Sequence, residues 1–600
     1  MAPQARTATR LPPEERRDEI LEAAREVFAE RGYQKASMRE IARRAGITQA
    51  ALYYHFENKE DLLIIILEQF SNDFYQSLLG CMTRAQGPEA GLRSMLRTHI
   101  DVIGARRKGV RLMSLTLAVD FDRTYTKVVA FDLEREELAG VVQAESTVDS
   151  DVGQGLNAAL EKLRAAAGGA EIDVDGMFAC SSAAGGLRMI VAGLVRELTT
   201  KAAREACLGA GAKLVGAYSG GLTPGEMAEI ERLAPDIMLL AGGTDGGNEE
   251  VVVRNAGLVA QSGLTAPLII AGNKAAAGGA RALLEGGGKR ATVVDNVLPE
   301  LGEMNVEPAR AAIRDTFMRH IVGAKGLDKA LALAGDIIMP TPMAVLKAAS
   351  LLADGSAGEE GLGELIVVDV GGATIDVHSI AEGGPRRTGT VVKGLRDPRA
   401  KRTVEGDLGI RHNARSILEL AGEQMILDNM PPPAGPEAAR IDLDRATKEL
   451  HHDVAALPGS EAEHLVDIGL ASAAVGIAAK RHAGSIEEIY FPTGKARVQY
   501  GKDLTGVRCL IGTGGVFAHG RSGYWILRAG CFDGSAPASL LPAAPELFLD
   551  QHYILFAIGL LAGKYPGPAL RIMKRALKKE EHPLRAQGWW RRGEKISAGR

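Results

Sequence analysis

Two aspartates stand where phosphate chemistry would need them. Asp120 closes the apolar run Leu115-Thr-Leu-Ala-Val-Asp120, and Asp369 follows the run Ile366-Val-Val. After the first come Thr124, Thr126 and Lys127; after the second come Gly371, Gly372, Thr374 and Asp376. A carboxylate is a common protein handle on Mg²⁺, whereas glycine-turn amides, hydroxyls and a lysine suit phosphate oxygens. Asp369 is therefore the first candidate for a catalytic, Mg²⁺-associated acid and Asp120 the second. Asp376 reads equally as a third acid of that kind or as a turn-stabilising residue. A third Gly-rich turn, Gly512-Thr513-Gly514-Gly515, follows the apolar Cys509-Leu-Ile511 and is flat enough to admit an adenine and its ribose.

To bring such residues together, the chain needs strand–turn–strand units. Leu115–Asp120 reads as a buried strand, Phe121–Lys127 as a turn and Val128–Leu133 as the returning strand of a hairpin. Residues 366–377 read as a second hairpin of the same kind. Taken in order, the three turns resemble the phosphate-1, phosphate-2 and adenosine motifs of the actin/Hsp70/sugar-kinase ATPase superfamily. That resemblance implies an α/β protein with an actin-like, two-lobed ATPase core built from ribonuclease-H-like halves. It also implies ATP and Mg²⁺ as ligands.

Three further segments narrow the resemblance. They are Ala241-Gly-Gly-Thr244-Asp245-Gly246-Gly247-Asn248-Glu249, Met339-Pro-Thr-Pro-Met-Ala and Thr403-Val-Glu405-Gly-Asp407-Leu-Gly409-Ile-Arg411. With them the chain resembles the MutL family linked to glutamate mutase, the GlmL-type accessory proteins, which are distinct from the mismatch-repair protein of that name. The similarity runs over about residues 115–580. It implies an ATPase in an accessory, reactivating role for an adenosylcobalamin-dependent mutase, and that role rests on the resemblance alone. One position departs from it: similar proteins carry Gly-Ser where this chain has Asp122-Arg123. Either Arg123 serves as a phosphate ligand, or the extra carboxylate and the missing glycine impair nucleotide handling.

The N-terminal segment is of another kind. Ile20, Leu21, Ala24, Val27 and Phe28 share one helical face after Pro12-Pro13, with acidic residues in the first turns. Gly32 is expected to end that helix. Ser37 with Glu40 forms a capping-box pattern for the next, and Thr48 caps a third over Gln49–His55. Ala42 and Gly46 supply small residues where two helices cross. The run Gly32-Tyr33 … Ser37-Met38-Arg39-Glu40-Ile41-Ala42 … Ala45-Gly46-Ile47-Thr48 … Leu52-Tyr53-Tyr54-His55-Phe56 … Asn58-Lys59-Glu60-Asp61-Leu62-Leu63 resembles the helix-turn-helix of TetR-family regulators. By that resemblance the third helix enters the major groove of double-stranded DNA. Thr48, Gln49 and Ala50 then face bases, while Tyr53, Tyr54, His55 and Lys59 hold phosphates. The usual sensor and dimer helices are curtailed: helical pattern continues over 62–79 and 92–103, then stops at Arg106-Arg107-Lys108-Gly109. Whether the chain forms a homodimer stays open.

Composition sets the outer bounds. With 46% hydrophobic and 24% charged residues, 72 glycines and a net charge of -4, the chain reads as a globular protein rather than a general polyanion binder. Residues 1–110 hold 17 Lys and Arg against 15 Asp and Glu, so basic character there must be patchy. Five separated cysteines without a CxxC pair argue against a disulfide framework or a zinc knuckle. His451-His452 reads as an exposed helix pair, not a metal site. No apolar run reaches the ~18 residues of a membrane span; the nearest, Tyr553–Ala562, reads as a buried helix. A cytoplasmic protein without membrane contact is the expectation. Its divisions are then residues 1–76 (helix-turn-helix), 77–113 (helical remnant), 114–580 (ATPase-like module) and 581–600 (basic tail), with Lys578 and Lys579 counted toward a basic amphipathic end. Three readings of the whole remain: a DNA-binding head on a MutL-like accessory module, a TetR-like regulator whose actin-like part senses nucleotide or a mutase, or a MutL-like module whose head is a vestigial fusion with no operator.

Overall fold

The computed structural model describes residues 13–66, 113–121, 125–146, 152–166, 172–181, 187–321, 338–431, 441–454, 456–491, 494–520 and 522–581. Internal contacts divide the chain into two compact units, residues 1–114 with 170–173, and residues 115–169 with 174–600.

In the first unit, helices α1 (Pro13–Lys35), α2 (Met38–Arg44) and α3 (Gln49–His55) enclose a small core of Ile20, Leu21, Ala24, Val27, Ile41, Leu52, Phe56 and Leu62. The two polar caps act as their types require. Ser37 Oγ accepts from the Glu40 N–H at 3.3 Å, and Thr48 Oγ1 accepts from the Ala51 N–H at 3.2 Å. Two expectations change. Gly32 does not end α1, which continues to Lys35; an interior glycine costs a helix only about 1 kcal/mol, and the next cap comes at Ser37. Gly46 is needed for its φ of +65° rather than for a close crossing, because nothing lies within 4 Å of where a Cβ would stand. Residues 59–66 are helical. The rest of the pattern over 62–79, and all of that over 92–103, lies outside the described residues.

The second unit repeats one architecture. Its first sheet contains β1 (Met113–Phe121), β2 (Tyr125–Asp132), β3 (Glu137–Glu145), β4 (Ile172–Ser181) and β10 (Ile338–Pro340), in the order β3-β2-β1-β4-β10. Its second contains β11 (Leu365–Val370), β12 (Ile375–Ile380), β13 (Ala400–Glu405), β14 (Cys509–Thr513) and β15 (Glu546–Asp550), in the order β13-β12-β11-β14-β15, with β16 (Leu577–Glu580) added at the edge. Both are the 3-2-1-4-5 arrangement of a ribonuclease-H-like half, with antiparallel hairpins β1–β2, β2–β3, β11–β12 and β12–β13. The duplicated halves make the unit an actin-like α/β fold. The central strand β11, Leu-Ile-Val-Val-Asp-Val, is covered on both faces, which is why it reads as a continuous apolar run.

Between β4 and β10 the chain inserts a separate all-parallel sheet. Strands β5 (Leu187–Gly193), β6 (Ala212–Ser219), β7 (Ile237–Leu240), β8 (Leu268–Ile270) and β9 (Ala291–Val293) lie in the order β6-β5-β7-β8-β9. Helices α5 (Lys201–Gly209), α6 (Pro224–Leu233), α7 (Glu250–Gln261) and α8 (Lys274–Gly286) connect them; α4 (Val152–Ala166) precedes the insertion and α9 (Glu307–Thr316) follows β9. A Thr223/Glu226 capping box starts α6.

The halves meet through a pair of helices, each following the fifth strand of its half: α10 (Thr341–Asp354) after β10, and α12 (Leu555–Leu561) after β15. Their packing is backbone to backbone at Gly559, where a Cβ would stand 1.8 Å from the Ala344 carbonyl oxygen. Both join one buried cluster with residues of either sheet. On the far face of the second sheet lies α11 (Glu461–His482), capped by Ser460 and Glu463. It is long and apolar enough to cross a membrane, contrary to the expectation that no such run exists, and 72% of its apolar window is buried inside the fold. Tyr553–Ala562 contains the buried helix α12, as its apolar character predicts. The basic end is corrected: after helix α13 (Pro566–Ala576), Lys578 and Lys579 belong to β16, an edge strand paired with β15, and Lys579 meets Glu546. Residues 582–600 lie outside the described residues.

Candidate functional site

The two halves present matching hairpins. In β1–β2, Asp120 lies opposite Lys127 and Phe121 opposite Thr126. In β11–β12, Asp369 lies opposite Asp376 and Val370 opposite Ile375. Directly opposed residues share a sheet face, so Asp120 with Lys127, and Asp369 with Asp376, form two facing sets. Strand β14 runs parallel beside β11 and sets Thr513 level with Asp369. Asp122, Arg123 and Thr124, at the tip of the first hairpin, lie outside the described residues.

The carboxylates are held differently. Asp120 is buried and accepts from the Thr341 hydroxyl at 2.7 Å and from the Cys180 thiol at 3.5 Å. Burial, then the Asp120 charge, push that thiol well above its ordinary range. Asp376 accepts from Arg402 Nε at 2.7 Å and from the Thr374 hydroxyl at 3.4 Å. Asp550, at the end of β15, accepts from the Ile554 and Leu555 amides and from the Thr513 hydroxyl, at 3.1, 2.9 and 2.9 Å. Asp369 is the exception: its Oδ1 is buried without a hydrogen-bond partner, as is the hydroxyl of Thr126. Burial pushes the Asp369 carboxyl up to about 7, with Asp376, Asp550 and Asp120 adding to the rise and Lys127 opposing it.

Several expected ligands occupy other roles. The Lys127 ammonium lies 4.0 Å from the centre of the Tyr553 ring. Gly371 gives its N–H to the Thr374 carbonyl at 3.0 Å, closing the turn rather than offering that amide to a ligand. Gly372 accepts from the Arg411 and His412 amides, which fastens the 406–413 loop behind the hairpin; Arg411 is anchored in turn by two bonds to Asp467. Gly512 and Thr513 are strand residues, not part of an open turn. A Cβ on Gly512 would strike the Phe517 ring at 2.7 Å, and Thr513 is buried on Asp550. Gly514, with φ +109°, bends the chain over β11, where a side chain would meet the Val370 carbonyl at 2.4 Å; Gly515 follows it. Sequence reasoning missed Thr341, Asp550 and Tyr553. Thr341 lies inside the Met339-Pro-Thr-Pro-Met segment, whose position directly after a strand was the available signal.

Four carboxylates against Lys127 and Arg402 leave the cleft short of positive charge. An unpartnered buried carboxylate oxygen at Asp369 suits a hard divalent cation with oxygen ligands; Thr126, opposite Phe121, lies on the other face of its sheet from Asp120 and Lys127. Among the described residues no three acidic, imidazole or thiol groups converge as a ready-made metal cage. His451 and His452 are exposed on the helix Leu443–His452, as expected.

In the first unit, Thr48, Gln49 and Ala50 are exposed at the start of α3, Tyr54 is 87% exposed and Tyr53 48%. His55 sits edge-on to Tyr54. The Lys59 ammonium donates one bond to the Ala36 carbonyl at 3.1 Å, which ties it to the start of α2.

Comparison with known proteins follows this division. The family described as MutL protein matches residues 116–577, and the family of bacterial regulatory proteins, tetR family, matches residues 20–65. Protein MutL of Clostridium tetanomorphum is 45% identical over 471 residues, 78% of this chain and 100% of that protein. The HTH-type transcriptional activator FasR of Mycolicibacterium smegmatis is 35% identical over 108 residues, 18% of this chain and 49% of that protein. A solved structure of the fatty acid degradation regulator FadR from Bacillus halodurans shares 29% identity, covering 17% of this chain and 52% of that one at a TM-score of 0.16. The chain thus spans about half the length of the regulators it matches.

Proposed function

This chain belongs to the MutL protein family and carries a TetR-type helix-turn-helix domain at its N-terminus, and from that membership we propose that it is a cytoplasmic, ATP- and Mg²⁺-dependent accessory protein for an adenosylcobalamin-dependent mutase such as glutamate mutase. The observation that carries the nucleotide part is the orphaned Asp369 Oδ1, buried on the strand position opposite Asp376. Bound Mg²⁺ would supply the positive charge that the carboxylates lack, and ATP the phosphoryl group to be hydrolysed. Asp369 and Asp120 would hold that cation, and Lys127, opposite Asp120, would contribute on the phosphate side. Gly514 and Gly515 border the adenosine side. The mutase part rests on family likeness, and a direct assay tests it. A glutamate mutase inactivated by turnover is incubated with the full chain, Mg·ATP and fresh adenosylcobalamin. Recovery of activity that needs both chain and nucleotide is expected; equal recovery without the chain rejects the role.

A second reading is favoured by one observation, the exposed Tyr53-Tyr54 face of α3. In it the head binds double-stranded DNA and the actin-like unit adjusts that binding to nucleotide or to a mutase. Tyr54→Ala removes a phosphate-facing side chain without touching the core, so affinity for a selected operator should fall about tenfold, ~1.4 kcal/mol, with the thermal midpoint unmoved. A gel-shift titration reads this. Unchanged affinity, or retention only on unspecific DNA at low salt, argues against a working head.

A further inference from the structure

We propose that Arg402 is a positioning residue for the Asp369/Asp376 pair and the link that passes the state of their hairpin to the inserted parallel-sheet domain; the proposal rests on the reading of the cleft as a nucleotide site. Arg402 comes from β13, one strand beyond the hairpin, and is 3% exposed. Its guanidinium has two sets of partners. Nε and Nη2 hold Asp376 Oδ1 at 2.7 and 2.5 Å. Nη1 donates to the Leu208 carbonyl at 3.1 Å and the Ala212 carbonyl at 2.8 Å, at the end of α5 and the first residue of β6. One buried side chain therefore grips the cleft hairpin and the inserted domain together.

The chemistry favours transmission over slack. A guanidinium is a rigid planar fork, so its two sets of bonds cannot adjust independently as a flexible ammonium's could. Asp376 faces Asp369 in register and also holds Thr374 in the turn. A divalent cation and phosphate arriving at Asp369 change the field on Asp376. If Asp376 shifts, Arg402 must follow it, because leaving either charge unpaired in the interior is the costlier course. The displacement then falls on the Leu208 and Ala212 carbonyls.

A purely adhesive role has a built-in comparison. Arg310, on α9, also bridges α5 and the second sheet, donating from Nη2 to the Glu205 carbonyl at 3.3 Å and the Ala400 carbonyl at 3.2 Å. It does not grip Asp376. Adhesion predicts that both arginines behave alike; transmission singles out Arg402.

The test is amide hydrogen exchange on the full chain, with and without magnesium and the non-hydrolysable analogue AMP-PNP, read over residues 201–219. In the wild type, nucleotide is expected to slow exchange there by about tenfold. Arg402→Lys keeps a charge for Asp376 but loses the fork. At saturating AMP-PNP it should lose the response at 201–219, whereas Arg310→Gln should lower the thermal midpoint and keep it. A wild type that binds no nucleotide overturns the reading of the cleft and this proposal with it. A wild type that binds while 201–219 stay unchanged, or an Arg402→Lys chain that still responds, overturns the link alone.

Discussion

Asp369→Asn is expected to raise the thermal midpoint of the ligand-free protein at pH 8 and, in the same chain, to remove its response to Mg·ATP. The cause is the buried, unpartnered Oδ1 and a carboxyl pushed up to about 7 by burial. In the unfolded chain the same group titrates near 3.9. The folded state therefore holds the proton more tightly, so the ligand-free protein loses stability as pH rises from about 4 to about 7 and stays at the lower level above that. At most ~4 kcal/mol is involved, at 1.36 kcal/mol per unit. Asn carries no charge to bury and escapes that loss. Thermal scans between pH 5 and 8 should thus show a downward slope in the wild type that is shallower in the variant, the two converging toward acid pH. Mg·ATP should lift the wild type at pH 8 and leave Asp369→Asn where it was, with affinity reduced at least about a hundredfold, ~2.7 kcal/mol. Parallel pH slopes in the two chains would remove Asp369 from the centre of the account.

Gly559→Val should be the most destabilising single change in the actin-like unit. A Cβ at 559 would stand 1.8 Å from the Ala344 carbonyl oxygen, and backbone cannot step aside as a flexible side chain can. Helices α10 and α12 must separate, opening the cluster that joins the halves, at a cost of about 3 kcal/mol or more. The site is affected as well. Thr341, which holds Asp120, is the first residue of α10, and Asp550 holds the start of α12. Nucleotide affinity should therefore fall together with the thermal midpoint. Gly563→Ala, two residues beyond the same helix and with nothing within 4 Å of the new Cβ, should change neither. Equal midpoints for the two variants would show that the helix contact carries little of the stability.

Local pattern disclosed much of this arrangement. The hairpins around Asp120 and Asp369 are legible because each pairs an apolar run with an abrupt turn, and the head because Ser37 and Thr48 sit where caps must sit. What escaped depends on distance along the chain. Thr341 reaches Asp120 across 221 positions, and Arg402 reaches Leu208 across 194; no window of sequence contains either pair. Gly512 and Thr513 resemble an open turn in sequence because glycine is ambiguous between a turn and a place where a ring packs, and Phe517 decides the matter. The inserted sheet's order is likewise invisible in its strands, because each parallel neighbour lies beyond a crossover connection.

The central claim is that the facing hairpins of this MutL-family chain form one Mg²⁺-dependent nucleotide site. Equilibrium dialysis of labelled ATP against the full chain, in magnesium and in EDTA, with Asp369→Asn alongside, tests it most directly. The account predicts saturation at one nucleotide per chain in magnesium, and little retention in EDTA or in the variant. Retention that does not saturate, or that is equal in all three, would contradict it.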